Sequence, residues 1–102
     1  MALMQLTVWQ SASEVALGDV IQEETVPISG TSTPSSAIDG TNRVRRRVRI
    51  FCDADAWVTW GSTEGGDPVA DDSGSNGRMI GAGNPEYFDI ECGYKVAVLA
   101  RA

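Results

Sequence analysis

Residues 43–61, RVRRRVRIFCDADAWVTWG, decide the fold class because they contain two β-strand patterns joined by an acidic turn. Side chains alternate between the two faces of a strand. In an extended 43–52 segment, one face carries the apolar residues Val44, Val48, Ile50 and Cys52, with Arg46 as the exception. The other face carries four arginines, which we call the arginine row: Arg43, Arg45, Arg47 and Arg49.

The arginine row depends on the strand prediction. At about 3.3 Å per residue, alternate guanidinium groups stand roughly 7 Å apart and the row is roughly 20 Å long. A helix would instead distribute the same arginines around its circumference. The segment therefore predicts a strand with one apolar face and one strongly basic face.

The rest of the chain shows further short strand patterns separated by turn residues. Apolar, β-branched and aromatic residues predict strands at 3–10, 19–28 with an interruption at Pro27, 56–60, 78–80, 86–92 and 94–102. Residues 11–19 are compatible with one helical turn, and 29–42 and 61–77 predict two long loops, the second ending in the hairpin-favouring pair Asn76-Gly77. About seven or eight short strands predict a single all-β domain over residues 1–102, a β-sandwich or jelly roll.

The composition narrows the function classes. The chain has 102 residues, a net charge of -6 and no histidine. The usual general base near neutral pH and the Ser-His-Asp arrangement are therefore absent from this sequence. No apolar run reaches the roughly 20 residues that a bilayer requires, and the N-terminus lacks the pattern of a secretory signal. We expect a protein that is made in the cytoplasm and is not an enzyme.

No metal or cofactor motif stands out. Cys52 and Cys92 match no metal-ligand spacing; they indicate buried thiols, with a disulfide left open if the final assembly leaves the cell. The acidic segments around 53–55 and 67–72 do not have the spacing of a calcium-binding loop, so they indicate solvated turns. GAGNPE at 81–86 lacks the last glycine of a dinucleotide-binding fingerprint. We predict no catalytic, metal or cofactor residues.

The arginine row admits three interpretations. It can pair with acidic strands of its own sheet, such as 86–91, or remain solvated. It can also dock on an acidic partner protein or sister subunit, for which the bidentate guanidinium is well suited. Nucleic acid is the third and weakest candidate, because fourteen carboxylates oppose eight basic side chains in the whole chain. Trp57, on the opposite side of its strand from Val58, is the tryptophan that we expect to be most exposed and to join the protein interface.

Two segments of the second half resemble small virion proteins of tailed bacteriophages. They are VRIFCDADAWVTWG, which ends at Gly61, and GRMIGAGNPEYFDIECGYKVAVLA at 77–100. In these proteins a first block has an arginine, apolar residues, an acidic turn, a small residue and a valine-threonine-glycine pattern. A second block follows, with a glycine-rich turn, a glutamate, an aromatic residue, a glycine and then a lysine with apolar residues. The first half of the chain and the loop at 29–42 contribute nothing to the resemblance.

The resemblance implies a non-enzymatic β-sandwich that binds the virion as a homo-oligomer, a dimer or a trimer. The main expectation is a capsid decoration protein that stabilises the shell of major capsid protein from its outer surface. A head-tail joining, tail or fibre-attachment component is the alternative, and a small nucleic-acid-binding β-barrel is a third. We expect a triple Arg45→Gln, Arg47→Gln and Arg49→Gln variant to keep its fold and bind the particle less tightly.

Overall fold

A computed structural model describes residues 1–10, 19–41, 44–72 and 77–101. These residues form eight strands and no helix, as the sequence predicted for the all-β class. The strands are β1 (Leu3–Trp9), β2 (Val20–Pro27), β3 (Thr33–Pro34), β4 (Arg45–Cys52), β5 (Ala56–Gly61), β6 (Arg78–Ile80), β7 (Glu86–Glu91) and β8 (Lys95–Ala100). The predicted helical turn at 11–19 and the predicted Asn76-Gly77 hairpin pair both fall largely outside the described residues.

The strands form two four-stranded antiparallel sheets. The first sheet has the order β2-β1-β4-β7, and the second has the order β3-β8-β5-β6. Apart from β1–β2 and β5–β6, every connection between consecutive strands passes from one sheet to the other. Such crossings are typical of jelly-roll sandwiches. Each sheet therefore contains strands from both halves of the chain. The fold is thus a β-sandwich, as expected.

The core lies between the sheets and is made by alternate residues of each long strand. Its largest fully buried side chains are Met4, Leu6, Ile38, Ile50, Ile80, Ile90, Val8, Val48, Val58, Val96, Val98 and Cys52. The alternation predicted for 43–52 is confirmed for Val48, Ile50 and Cys52, which are all 0% exposed. Val44, by contrast, is 44% exposed because it precedes β4 and lies beyond the edge of the core.

The loop predicted at 29–42 has more structure than its composition indicates. It contains the two-residue strand β3, and Ile38 is buried in the core. Ser35 donates its backbone N–H to the carbonyl of Val96 at 2.7 Å, and its hydroxyl accepts from the N–H of Val96 at 2.9 Å. Glu24 of β2 accepts from the N–H of Ser36 at 3.0 Å. The segment therefore closes one side of the sandwich by joining β2 to β8.

The loop between β5 and β6 crosses the outer surface of the second sheet. The N–H of Ala70 bonds to the hydroxyl of Ser32 at 2.9 Å, and Asp67 pairs with Lys95 of β8 at 3.0 Å. Ala97 points away from the core on β8, yet it is 0% exposed. The second sheet is consequently covered on its outside at Ala97.

Cys52 and Cys92 are free, buried thiols at opposite ends of the β4–β7 pair, which excludes a disulfide between them in this fold. Burial, and to a smaller extent the negative charge of Asp53, raises the pKa of Cys52 from 9.0 to about 11. The unfolded chain therefore loses this proton first as the pH rises. The thiol contributes stability that is fully present below about pH 9 and is lost as the pH rises toward 11.

We predict that the free energy of unfolding falls between pH 9 and 11 with a Cys52 contribution approaching about 1.4 kcal/mol per pH unit. Urea titrations at several pH values measure this slope. A Cys52→Ala variant is less stable throughout but loses this part of the slope, while Cys92→Ala creates a similar small cavity and serves as its control. Equal slopes in the wild type and in Cys52→Ala would contradict the prediction.

Candidate functional site: the outer face of the first sheet

The outer face of the first sheet carries most of the predicted site. Arg45, Arg47 and Arg49 project from β4 on the side opposite to Val48 and Ile50. Arg45 is exposed, and the other two are half-buried. The extended conformation on which the arginine row depends is therefore present in the structure from residue 45 onward. Arg43 lies outside the described residues.

The three arginines have different surroundings. On the neighbouring strand β7, Arg45 is opposite Glu91, Arg47 is opposite Asp89 and Arg49 is opposite Tyr87. Only the middle pair forms an ion pair, in which Nε of Arg47 donates to Oδ1 of Asp89 at 2.5 Å. Arg47 is thus engaged within its own sheet, as the first interpretation expects for an internal pair. Arg45 and Arg49 form no ion pair with the described residues, and docking on a partner stays a prediction for both.

Arg49 is associated with aromatic rings. Its guanidinium lies over the ring of Phe51, 5.2 Å from the ring centre. A cation placed over an aromatic face contributes roughly 0.5–1 kcal/mol at an exposed site. The contact holds the guanidinium against the sheet without occupying its hydrogen-bond donors. Arg49 therefore presents a pre-positioned donor fork to anything that approaches this face.

Two further rings complete the face. Trp9 of β1 and Tyr87 of β7 meet above the intervening strand β4, with ring centres 6.0 Å apart and planes tilted by 32°. Tyr87 is 51% exposed, and Trp9 is half-buried. Aromatic residues next to arginine are enriched at the centres of protein interfaces. We call Arg45, Arg47, Arg49, Trp9, Phe51 and Tyr87 the arginine-aromatic face.

The alternation of side chains along β1 and β7 places both rings on the outer face of the sheet. Trp9 has the same parity along β1 as Gln5, which is exposed, and Tyr87 has the same parity along β7 as Asp89. That two strands on either side of β4 bring their rings together was not predictable, because it requires the strand order β1-β4-β7. The sequence predicted the basic part of the face and missed its aromatic part.

Trp57 lies elsewhere. It is half-buried on the outer surface of the second sheet, where it is paired with Met79 of β6 and Leu99 of β8. Gly77, at the end of the covering loop, lies directly beside it. Trp57 and the arginine row are therefore on opposite outer surfaces and do not form one patch. The third tryptophan, Trp60, packs on Phe88 at the margin of the core, 4.5 Å between ring centres.

Arg46, the exception in the alternation, has a structural role. Its side chain points toward the interior at one end of the sandwich, where Nε donates to the carbonyl of Asp39 at 2.7 Å and Nη1 donates to the carbonyl of Gln10. Gly40 has a φ of 140° and lies so close that a Cβ there would be 2.7 Å from Arg46 Nη2 and 2.5 Å from Cys92 Sγ. The glycine leaves the space that the guanidinium occupies.

The turn carboxylates are used within the fold. Asp53 accepts a hydrogen bond from the N–H of Leu3 at 2.7 Å, and Asp55 accepts one from the N–H of Ala82 at 2.8 Å and pairs with Arg101. In the part of the chain that the structure describes, no three cysteine or carboxylate groups form a metal-binding cluster. The same residues include no helix of the length and apolar character needed to cross a membrane.

Comparison of the chain with protein-family models, with curated proteins and with solved structures finds no match. The resemblance to phage virion proteins therefore stays a prediction, and the function has to be argued from the arginine-aromatic face.

Proposed function

We propose that the chain is a non-enzymatic structural protein of a tailed bacteriophage that docks on an acidic surface of another virion protein through the arginine-aromatic face. The partner that we propose is the major capsid protein, and the site of action is the outer surface of the capsid. The observation that carries the docking part is the pair Arg45 and Arg49, which form no ion pair with the described residues. Arg49 also lies over the Phe51 ring and opposite Tyr87, which is 51% exposed. The sequence resemblance supplies the virion context.

The energetics of the face favour protein docking. The Arg49 guanidinium, already held over Phe51, loses less conformational entropy on binding than a free side chain does, and guanidinium groups pair bidentately with carboxylates. Tyr87 and Trp9 offer apolar area beside these charges, and burial of one aromatic ring removes roughly 150–250 Å² from water. Charge gives the orientation of the complex, and the rings give much of its affinity.

Nucleic acid fits the same face less well. Asp89 already neutralises Arg47, and Glu91 lies opposite Arg45. Glu23 and Arg49 belong to one cross-strand row, with Thr7 between them. A phosphate backbone approaching this face would therefore meet carboxylates among the arginines, on a chain whose net charge is -6. The mixed charges suit an acidic protein surface with its own basic groups better than a polyanion.

The proposed function predicts saturable binding to capsids that lack the protein. Purified protein is added in increasing amounts to such capsids, and the bound fraction is separated by sedimentation and quantified against major capsid protein. We expect a plateau at a fixed ratio that corresponds to many copies, together with greater resistance of the shell to heat. Light scattering of the isolated protein tests the proposed dimer or trimer.

A plateau at the small copy number of a single ring would assign the protein to the neck, tail or fibres instead. Absence of saturable binding to any assembled particle, combined with retardation of DNA or RNA that weakens with salt, would replace the proposal with nucleic-acid binding.

A further inference from the structure

Strand β7 is the open edge of the first sheet. Among the described residues it pairs only with β4. The N–H of Cys92 donates to the carbonyl of Val44, so the even-numbered residues of β7 direct their backbone groups toward β4. The backbone groups of Tyr87, Asp89 and Glu91 consequently point away from the sheet. The carbonyl of Glu91 accepts from Tyr94, and the remaining groups face outward.

A cleft runs alongside this edge in the part of the chain that the structure describes. Arg78, the first residue of β6, approaches the first half of β7: it lies 3.8 Å from Glu86 and 5.0 Å from the centre of the Phe88 ring. Two solvent-open cavities follow, of about 470 Å³ and 160 Å³, which share Glu91 and Tyr94. The larger is also lined by Ser62, Thr63, Glu64, Cys92 and Gly93, and the smaller by Arg45, Trp60, Asp89 and Ile90.

The charge of the cleft selects a basic occupant. Glu64 and Glu91 line it, and neither forms an ion pair with the described residues. Asp89 is shared with Arg47, and Arg45 is the one cationic side chain among the lining residues. Two copies of β7 paired with each other would place Asp89 and Glu91 close to the carboxylates of the second copy. Such like-charge neighbours are destabilising, so the edge disfavours self-association.

We propose that β7 accepts an extended basic segment of a partner protein as an added antiparallel strand. Antiparallel addition continues the pattern of this sheet, and its hydrogen bonds form between directly opposite residues. The partner residues opposite Asp89 and Glu91 then place their side chains on the same outer side of the sheet as these two carboxylates, and we expect them to be basic. The residues between them point toward Trp60 and Ile90 and are apolar. The recognised segment therefore alternates basic and apolar side chains.

The probe that tests this is a short fluorescein-labelled peptide of alternating lysine and valine, titrated with the isolated protein and followed by anisotropy. In the proposed pairing the lysine amides point at β7 and the valine amides point away from it. We expect N-methylation of the lysine amides to weaken binding at least tenfold and N-methylation of the valine amides to leave it nearly unchanged. The proposal is overturned if the peptide with methylated lysine amides binds as well as the unmodified peptide. It is also overturned if the unmodified peptide does not bind.

A charge-matched pair of variants separates the cleft from general acidity. Glu64→Gln with Glu91→Gln should weaken binding about tenfold, whereas Asp19→Asn with Glu23→Gln, on and beside the far edge strand β2, should not. Equal effects of the two pairs would contradict a site at β7. The peptide titration contains no capsid, so absence of peptide binding leaves the proposed docking function in place. Absence of capsid binding likewise leaves the proposed strand addition at β7 in place.

Discussion

Replacement of Arg46 by glutamine is expected to lower the free energy of unfolding by about 2–3 kcal/mol. The guanidinium donates to the carbonyl of Asp39, in the 29–42 segment, and to that of Gln10, the residue directly after β1. One side chain thus joins β4 to the 29–42 segment and to the residue after β1, beyond the last pair between β1 and β4, which is Val8 with Val48. Glutamine is too short to reach both carbonyls, and hydrogen bonds to charged groups are each worth roughly 1.5–3 kcal/mol.

The matched control for this variant is Arg45→Gln, one residue earlier on the same strand. Arg45 is exposed and forms no ion pair with the described residues, so its loss should change the free energy of unfolding by less than about 0.5 kcal/mol. Urea titrations of the two variants give the comparison directly. Similar values for Arg45→Gln and Arg46→Gln would mean that Arg46 does not hold the end of the sandwich.

The contrast between these neighbours shows what sequence patterning was able to predict. Alternation of polar and apolar residues predicted which face of β4 is buried, because that property belongs to one strand alone. The same pattern marked Arg46 as an exception without indicating its partners. Those partners are the backbone carbonyls of Gln10 and Asp39, which lie next to β4 only in the folded sandwich. The role of an exception in a pattern depends on long-range contacts that the pattern does not contain.

The candidate site likewise has features that follow from a single strand and features that depend on how strands pair. The basic character of the outer face follows from one strand, so it was predicted. The ion pair between Arg47 and Asp89 depends on the register between β4 and β7, and the contact between Trp9 and Tyr87 depends on the order of three strands. Trp57 was expected to be the most exposed tryptophan and to join the interface. The orientation predicted from its own strand is correct, but its strand belongs to the other sheet.

Replacement of both Arg45 and Arg49 by glutamine is expected to weaken association with the capsid about 100-fold, if each guanidinium contributes about 1.4 kcal/mol to the docked complex. Both side chains form no ion pair with the described residues, so the variant leaves no buried charge uncompensated. The melting temperature should therefore stay close to that of the wild type. Addition of Arg47→Gln should cost little more affinity, because Asp89 already engages that guanidinium.

The control removes two positive charges from the other sheet, by Lys95→Gln and Arg101→Gln. Both variants have the same net charge, so a difference in capsid affinity reports on position and not on overall electrostatics. We expect the control to bind nearly as tightly as the wild type and the Arg45/Arg49 variant to lose its plateau in the sedimentation titration. If instead the Arg45/Arg49 variant unfolds, these arginines act within the domain; if both variants bind equally, the docking surface is not the arginine-aromatic face. Capsid affinity and melting temperature thus distinguish a role of this arginine pair in docking from a role within the domain.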